Sequence, residues 1–587
     1  MTDWRVWWSF NRDPYLRLRE AVLAGDSRTG DDEFFLGFGQ RRQSGHGRPA
    51  DTQLRDVVVP ALLRRLEGSQ NQDLVTACLV ALAKIGIDPA EGPLEPRLAA
   101  FLSASNQEIA ETAAVSLGIL GRESSAPLLA ALLDDTHAGR RRVGRDEVPY
   151  RTRSFAAYGL GLLAAGSERG DVRSFAVYHL AQALEKDTTA TRDLATACTI
   201  SLGLVPLEVH GEWPVPETEL RVASTRQHQV AWLLQWFEET DQSDAVRLHS
   251  PVALARLCAG AGSEAKRAVC EALLERTAQH SSTNREVQRA ALIALGRLGD
   301  DDMDELDGRI RAKLRKAFAS GDAMSRDLAR IALARVATRP GSGPDPGAAL
   351  ESVRHWLLKD LATGRSTARA WTALGLGVLA YRRVEQGLEV SPAIGIALRE
   401  RLRSTRSPRD AGALCTALGL AQDAESAELL AGRLSDGSAV EVQAMAAVAL
   451  GRIGDLGSVE TLQELARKST AQPVLLRELA TGLALMRDGS VLPDLIAALR
   501  EARTLASQSA LAFSVGRVGD ARAVDPLLGL LEEEGVSEAT RAFAAAALGV
   551  VGDRRTLPWN SPIAVDLHYG MPPASLTDGR RGVLDLL

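Results

Sequence analysis

Aromatic residues make up only 4% of this chain, and no run of about 18 uninterrupted apolar residues occurs in it. The first scarcity disfavours sheet architectures, whose strands draw on β-branched and aromatic side chains. The second leaves no helical membrane span. Cysteine is sparse: Cys78, Cys198, Cys258, Cys270 and Cys415 form no C-x-x-C pair, and their odd number excludes a complete disulfide framework. Most lie in apolar stretches, where a free thiol behaves as a small hydrophobe. No charge dominates, with 69 basic and 75 acidic residues and a net charge of −6, so nucleic acid is not an expected partner.

The usual chemical signatures are also missing. Nine histidines are scattered with no i, i+4 pair and no Cys/His zinc spacing, so no metal site is expected. No Walker A, H-E-x-x-H, G-x-S-x-G or EF-hand pattern occurs. Gly159-Leu160-Gly161 and Gly375-Leu376-Gly377 lack the third glycine and the preceding strand of a dinucleotide site. Ser263-Glu264-Ala265-Lys266 has no companion motif. The expectation is a non-catalytic protein with no cofactor and no small-molecule substrate.

What is present is repetition. Ala449-Leu450-Gly451-Arg452-Ile453-Gly454-Asp455 has close copies ending at Asp300, Asp520 and Asp553. Weaker copies are centred on Ala83, Gly118, Gly159, Gly203, Ala334, Gly375, Gly419 and Ala484. The last five (419, 451, 484, 516, 549) are spaced 32, 33, 32 and 33 residues apart, and a gap of 93 from 203 to 296 hides a divergent unit, placed at 251–260. That makes about thirteen units, enough to carry 587 residues without one oversized core, because each repeat packs only on its neighbours.

Each copy reads as a helix. Val442, Met445, Ala446, Ala449, Leu450 and Ile453 share one face, and Val440, Ala444, Ala447 and Gly451 occupy the other. A helix apolar nearly all round is buried on both sides. Gly451 inside it costs roughly 1 kcal/mol relative to Ala, which implies a neighbouring backbone too close for a side chain. Gly454 suits a left-handed cap, and Asp455 suits local backbone bonding. Amphipathic partner helices precede, as at 459–468, 491–500 and 523–533. The predicted fold is all-α: an α-solenoid, or superhelix, of about thirteen helix pairs over residues 51–552.

This helix–turn–helix unit resembles the HEAT family, and its 32–33-residue copies resemble the phycobilin-lyase-type HEAT-like repeats. The arginine that the family carries eight residues before the glycine is kept at Arg151 and Arg541 and replaced at Gln288, Gln443 and Gln508. This polar stripe is a candidate contact line for a partner, or a ladder of hydrogen bonds between repeats. The Trp-Trp-x-Phe-Asn start and Pro-Trp-Asn tail resemble the ends of bacterial multi-HEAT proteins, many of which look exported.

The segments outside the repeats have their own readings. Trp4, Trp7, Trp8 and Phe10, in an aromatic segment over 1–24, either cap the array or dock a partner. Residues 25–50, with Phe34, Phe35 and Phe38, read as a flexible linker. Residues 553–587 form a non-repeat tail, and 204–226, with Pro206, Pro214 and Pro216, a long insertion. The acidic run Asp300–Asp307 favours the dipole of the helix after it. The basic loop Arg140–Arg142 with Arg145 reads as a solvated surface.

The implied function is a scaffold whose concave face binds a partner protein. A structural or envelope-associated exported protein and a lyase-type enzyme or accessory factor are the alternatives. Residues Met1–Arg5 lack a signal-peptide pattern, so the chain as written is expected in the cytoplasm; a start codon further upstream would allow export.

Overall fold

The computed structural model describes residues 3–23, 47–211, 213–239, 242–277, 284–435 and 437–586. The linker expected over 25–50, with its three phenylalanines, lies up to residue 46 outside the described residues. Among the described residues every regular element is a helix, and thirteen helix pairs follow one another. We label the second helix of each pair α1 (Gln72–Ile85), α2 (Gln107–Leu120), α3 (Tyr150–Gly166), α4 (Asp193–Leu202), α5 (Ser250–Leu257), α6 (Arg285–Leu298), α7 (Ala323–Val336), α8 (Arg369–Glu385), α9 (Pro408–Leu420), α10 (Val440–Ile453), α11 (Pro473–Leu485), α12 (Leu505–Val518) and α13 (Glu538–Gly552). The short helix α5 fills the place of the divergent unit.

Local chemistry starts and stops these helices. Asn71, Asn106, Asp322, Thr504 and Ser537 each accept a hydrogen bond from a first-turn N–H, satisfying donors that a helix start leaves unpaired. Gly454 closes α10 in the left-handed region at φ 77°. The same motif glycine behaves differently elsewhere. Gly519 after α12 is extended at φ −68°, and a Cβ there would lie 2.3 Å from the carbonyl oxygen of Val515. One sequence position thus uses glycine for handedness in one repeat and for room in another.

The small residues within the second helices set the stacking distance. A Cβ on Gly451 would stand 2.6 Å from the Gly482 carbonyl oxygen and 2.7 Å from its Cα. Around these contacts Leu450, Leu476, Leu479 and Leu483 are fully buried, each contributing about 1.5–3 kcal/mol. The first helices bury one stripe only, as Leu462 and Ala466 do in Val459–Lys468.

Contacts divide the chain into two units. The first comprises Met1–Asn11, Glu95–Leu388 and Asn560–Leu586, and it stacks α2 to α8 in sequence order. The second comprises Arg12–Leu94 and Glu389–Trp559. It stacks α9 to α13, and then α13 packs on α1, with the Cβ position of Gly549 2.6 Å from the Ala81 Cα. The first pair in the sequence is the last in this stack.

The insertion at 204–226 is tethered rather than free. Gln229 donates to the Val205 carbonyl at 2.8 Å and accepts from Leu207 N, and Gln227 accepts from His210 N at 3.1 Å. No helix among the described residues is long and apolar enough to cross a membrane.

Candidate functional site

In the first unit, the face built by the second helices is covered by the chain's own tail. Arg256 of α5, Arg297 of α6 and Arg335 of α7 each follow the small residue of their repeat (Ala255, Gly296, Ala334), so helical register aims all three at one strip. Arg256 donates to the Val565 carbonyl at 2.6 Å, while Arg297, at 2.9 Å, and Arg335 pair with the Asp566 carboxylate. Asp566 is 2% exposed and sits in the left-handed region at φ 63°. Its N–H donates to the Asn11 side chain at 3.0 Å. Burial acts to raise the Asp566 pKa, but the Arg335 and Arg297 guanidiniums outweigh it and hold the group well below the usual carboxylate range.

On either side of Asp566 the tail continues along this face. His568 Nε2 lies 3.1 Å from Glu286, and neighbouring His249 is pushed down to about 3 by burial and by His568. Tyr569 stacks on Phe10 with ring centroids 5.9 Å apart. Beyond the exposed stretch Gly570–Met571, Ser575 N donates to Asp193 of α4 at 3.2 Å, and Arg151 of α3 donates to the Arg581 carbonyl at 3.0 Å.

The aromatic segment of the N-terminus forms a helix, Trp4–Leu16. Trp4, Trp7 and Trp8 are buried rather than displayed. Trp7 packs on Trp371 of α8 with centroids 6.3 Å apart, and the Arg335 guanidinium lies 5.7 Å from its ring centroid. Phe10 is half-buried against the tail. In the second unit, Arg12 donates twice to Glu478 of α11, at 2.8 and 2.7 Å. Burial acts to raise Glu478, but Arg12 overrides it and brings the group to about 2.

The polar stripe is engaged mainly with the chain itself. Gln443 is buried and donates to the Ser435 carbonyl at 2.9 Å. Gln508 is buried and joins α12 to α13 through Thr540 Oγ1 at 2.7 Å. Arg541 donates to the Glu533 carbonyl at 2.8 Å, and Gln288 is half-buried on α6. Arg151 pairs with Glu111 at 3.1 Å besides holding the tail. Burial removes Trp4, Trp7, Trp8, Gln443 and Gln508 from any surface that a partner could reach in this arrangement.

The acidic run does more than serve a helix dipole. Asp304 does cap the helix Glu305–Ser320, accepting from Asp307 N at 2.7 Å. But Asp300, Asp302 and Asp307 are buried together, with ligand-type oxygens within 4.8 Å of one another. Burial raises Asp307 to about 6. Lys266, 2.9 Å from Asp300 and 3.9 Å from Asp307, supplies the positive charge between them. In the basic loop, Arg140 pairs with Asp135 at 3.0 Å.

Sequence reasoning missed Arg256, Arg297, Arg335 and Asp566. A signal for the arginines was present: the residue immediately after the repeat's small residue is Arg at 297, 335, 452 and 517.

Helix pairs whose second members touch through small residues make each unit a stack of all-helical repeats. HEAT repeats match residues 397–484. No curated protein matches the chain. Among solved structures, importin beta is 14% identical over 84% of this chain and 66% of its own, with a TM-score of 0.35. Kap121p is 14% identical over 91% of this chain and 56% of its own, with a TM-score of 0.36. An engineered protein is 21% identical over 78% of this chain and 98% of its own, with a TM-score of 0.24. The chain therefore spans less than two thirds of the length of the two natural proteins.

Proposed function

We propose that this protein is a non-catalytic scaffold that binds a segment of a partner protein on the second-helix face of its first unit, and that its repeats belong to the short bacterial HEAT-like class. One observation carries the reading: that face already holds a non-repeat polypeptide, the tail from Asn560 onward, through a buried carboxylate, a main-chain carbonyl and packed aromatic rings. A surface that holds one such segment has the donors and apolar recesses to hold another.

The test uses photo-crosslinking from two exposed positions. Met571 lies on the tail over this face, and Leu456 lies in the second unit, 47% and 65% exposed. With a photoreactive residue at each position, the scaffold reading expects a defined segment of one protein to crosslink reproducibly at Met571 and not at Leu456. Crosslinks at Leu456 alone, or at neither position, would refute it.

A further inference from the structure

We propose that the distal lobe of the tail, Ser575–Leu586, is a removable plug over the ends of α2, α3 and α4, and that a partner loop of the same chemistry takes its place. The inference rests on the scaffold reading and names the part of the face that opens.

The two halves of the tail are built differently. The proximal half is locked by the fully enclosed Asp566 and its guanidiniums. The distal half folds on itself. Asp585 accepts from Thr577 Oγ1 at 2.8 Å and from the N–H groups of Asp578, Gly579 and Gly582 at 3.1, 3.1 and 2.9 Å. Val583 N and Leu584 N close the loop on the carbonyls of Ser575 and Leu576, at 2.8 and 3.0 Å. The lobe therefore keeps most of its backbone bonds wherever it sits, and leaving the helices strands few polar groups.

Its attachment is correspondingly light. Leu576 and Val583 are fully buried, but residues 578–581 are exposed. The polar ties include Ser575 N to Asp193, which also faces the Ala574 N–H, Arg151 to the Arg581 carbonyl and Arg581 to Glu108 at 3.5 Å, with Tyr158 beside the Ser575 hydroxyl. The exposed Gly570 and Met571, with Pro572 and Pro573, separate the lobe from the locked half. With the lobe gone, the face presents an apolar recess beside Glu108, Glu111 and Asp193, with Arg151 as the cation among them. The partner it fits is a compact loop that offers two apolar side chains and an arginine or lysine for Glu108.

The experiment compares the full chain with a chain ending at Pro573, using a fluorescent peptide of residues Ala574–Leu587 as the probe. The shortened chain is expected to bind the peptide saturably. The full chain should bind about tenfold more weakly or less, because its own lobe competes at an effective concentration near the millimolar range. A peptide carrying Leu576→Asp and Val583→Asp should not bind. Equal binding to both chains, or none to a folded shortened chain at about 1 mM peptide, would overturn the proposal.

If the shortened chain fails to fold, a protease site placed after Met571 in the full chain gives the second reading. Exchange of the nicked lobe for labelled peptide supports the plug, and a nicked lobe that never exchanges refutes it. A negative result here, with crosslinking at Met571 intact, leaves the scaffold reading standing and removes only the plug.

Discussion

Replacing Asp566 with Asn keeps the shape of the side chain and deletes its charge. Arg297 and Arg335 then face an amide where they met a carboxylate 2% exposed. Removing one partner of a buried ion pair costs about 3–5 kcal/mol. The amide oxygen still accepts one hydrogen bond, so the lower figure, about 3 kcal/mol, applies. At 1.4 kcal/mol per tenfold, this raises the open fraction of the proximal tail roughly a hundredfold. Hydrogen exchange read by mass spectrometry over Ile563–Tyr569 should accelerate by that factor. Adding Arg335→Met should recover part of the loss, since it removes an orphaned cation. Exchange unchanged within about threefold would refute the claim that Asp566 anchors the tail.

Three further outcomes follow from the same geometry. Gly451→Ala forces a Cβ against the Gly482 backbone and should cost about 1–3 kcal/mol in urea unfolding, whereas Gly432→Ala, with nothing within 4 Å, should stay within about 0.5 kcal/mol. Glu478, ordinarily near 4.5, is depressed to about 2, so its stabilisation is complete above pH 4.5 and is lost as pH falls towards 2. Acid titration followed by tryptophan fluorescence should lose that dependence, about 3 kcal/mol, in Glu478→Gln. Burial pushes the thiols of Cys78, Cys258 and Cys415 up to about 12, and Cys198 and Cys270 upward as well. A thiol reagent should find none of the five in the native chain and all five in denaturant.

The repeat was legible because it is local. Period, apolar pattern and the glycine at 451 all lie within one helix, and the close approach to Gly482 is what a glycine in that place requires. The pairing of α13 with α1 was not legible, since Gly549 and Ala81 are small residues in apolar helices like those of the other copies and do not name a partner so distant in sequence. Nor was the Asp566 anchor: its partners Arg297 and Arg335 lie 269 and 231 residues away and look like solvated charges beside a helix end. The polar stripe was found by its spacing, but spacing does not say which side of a helix is covered. Gln443 bonds within its own repeat, and Gln508 bonds across to Thr540 of the next.

The contact between α1 and α13 has a temporal side. At roughly 5–20 residues per second, a ribosome that has released residue 85 needs about 20–90 s to release residue 549. Throughout that interval the surface around Ala81 waits for its neighbour. Completion of the second unit therefore waits for residue 549, and until then a newborn chain carries an apolar patch around Ala81 that helix α13 comes to cover.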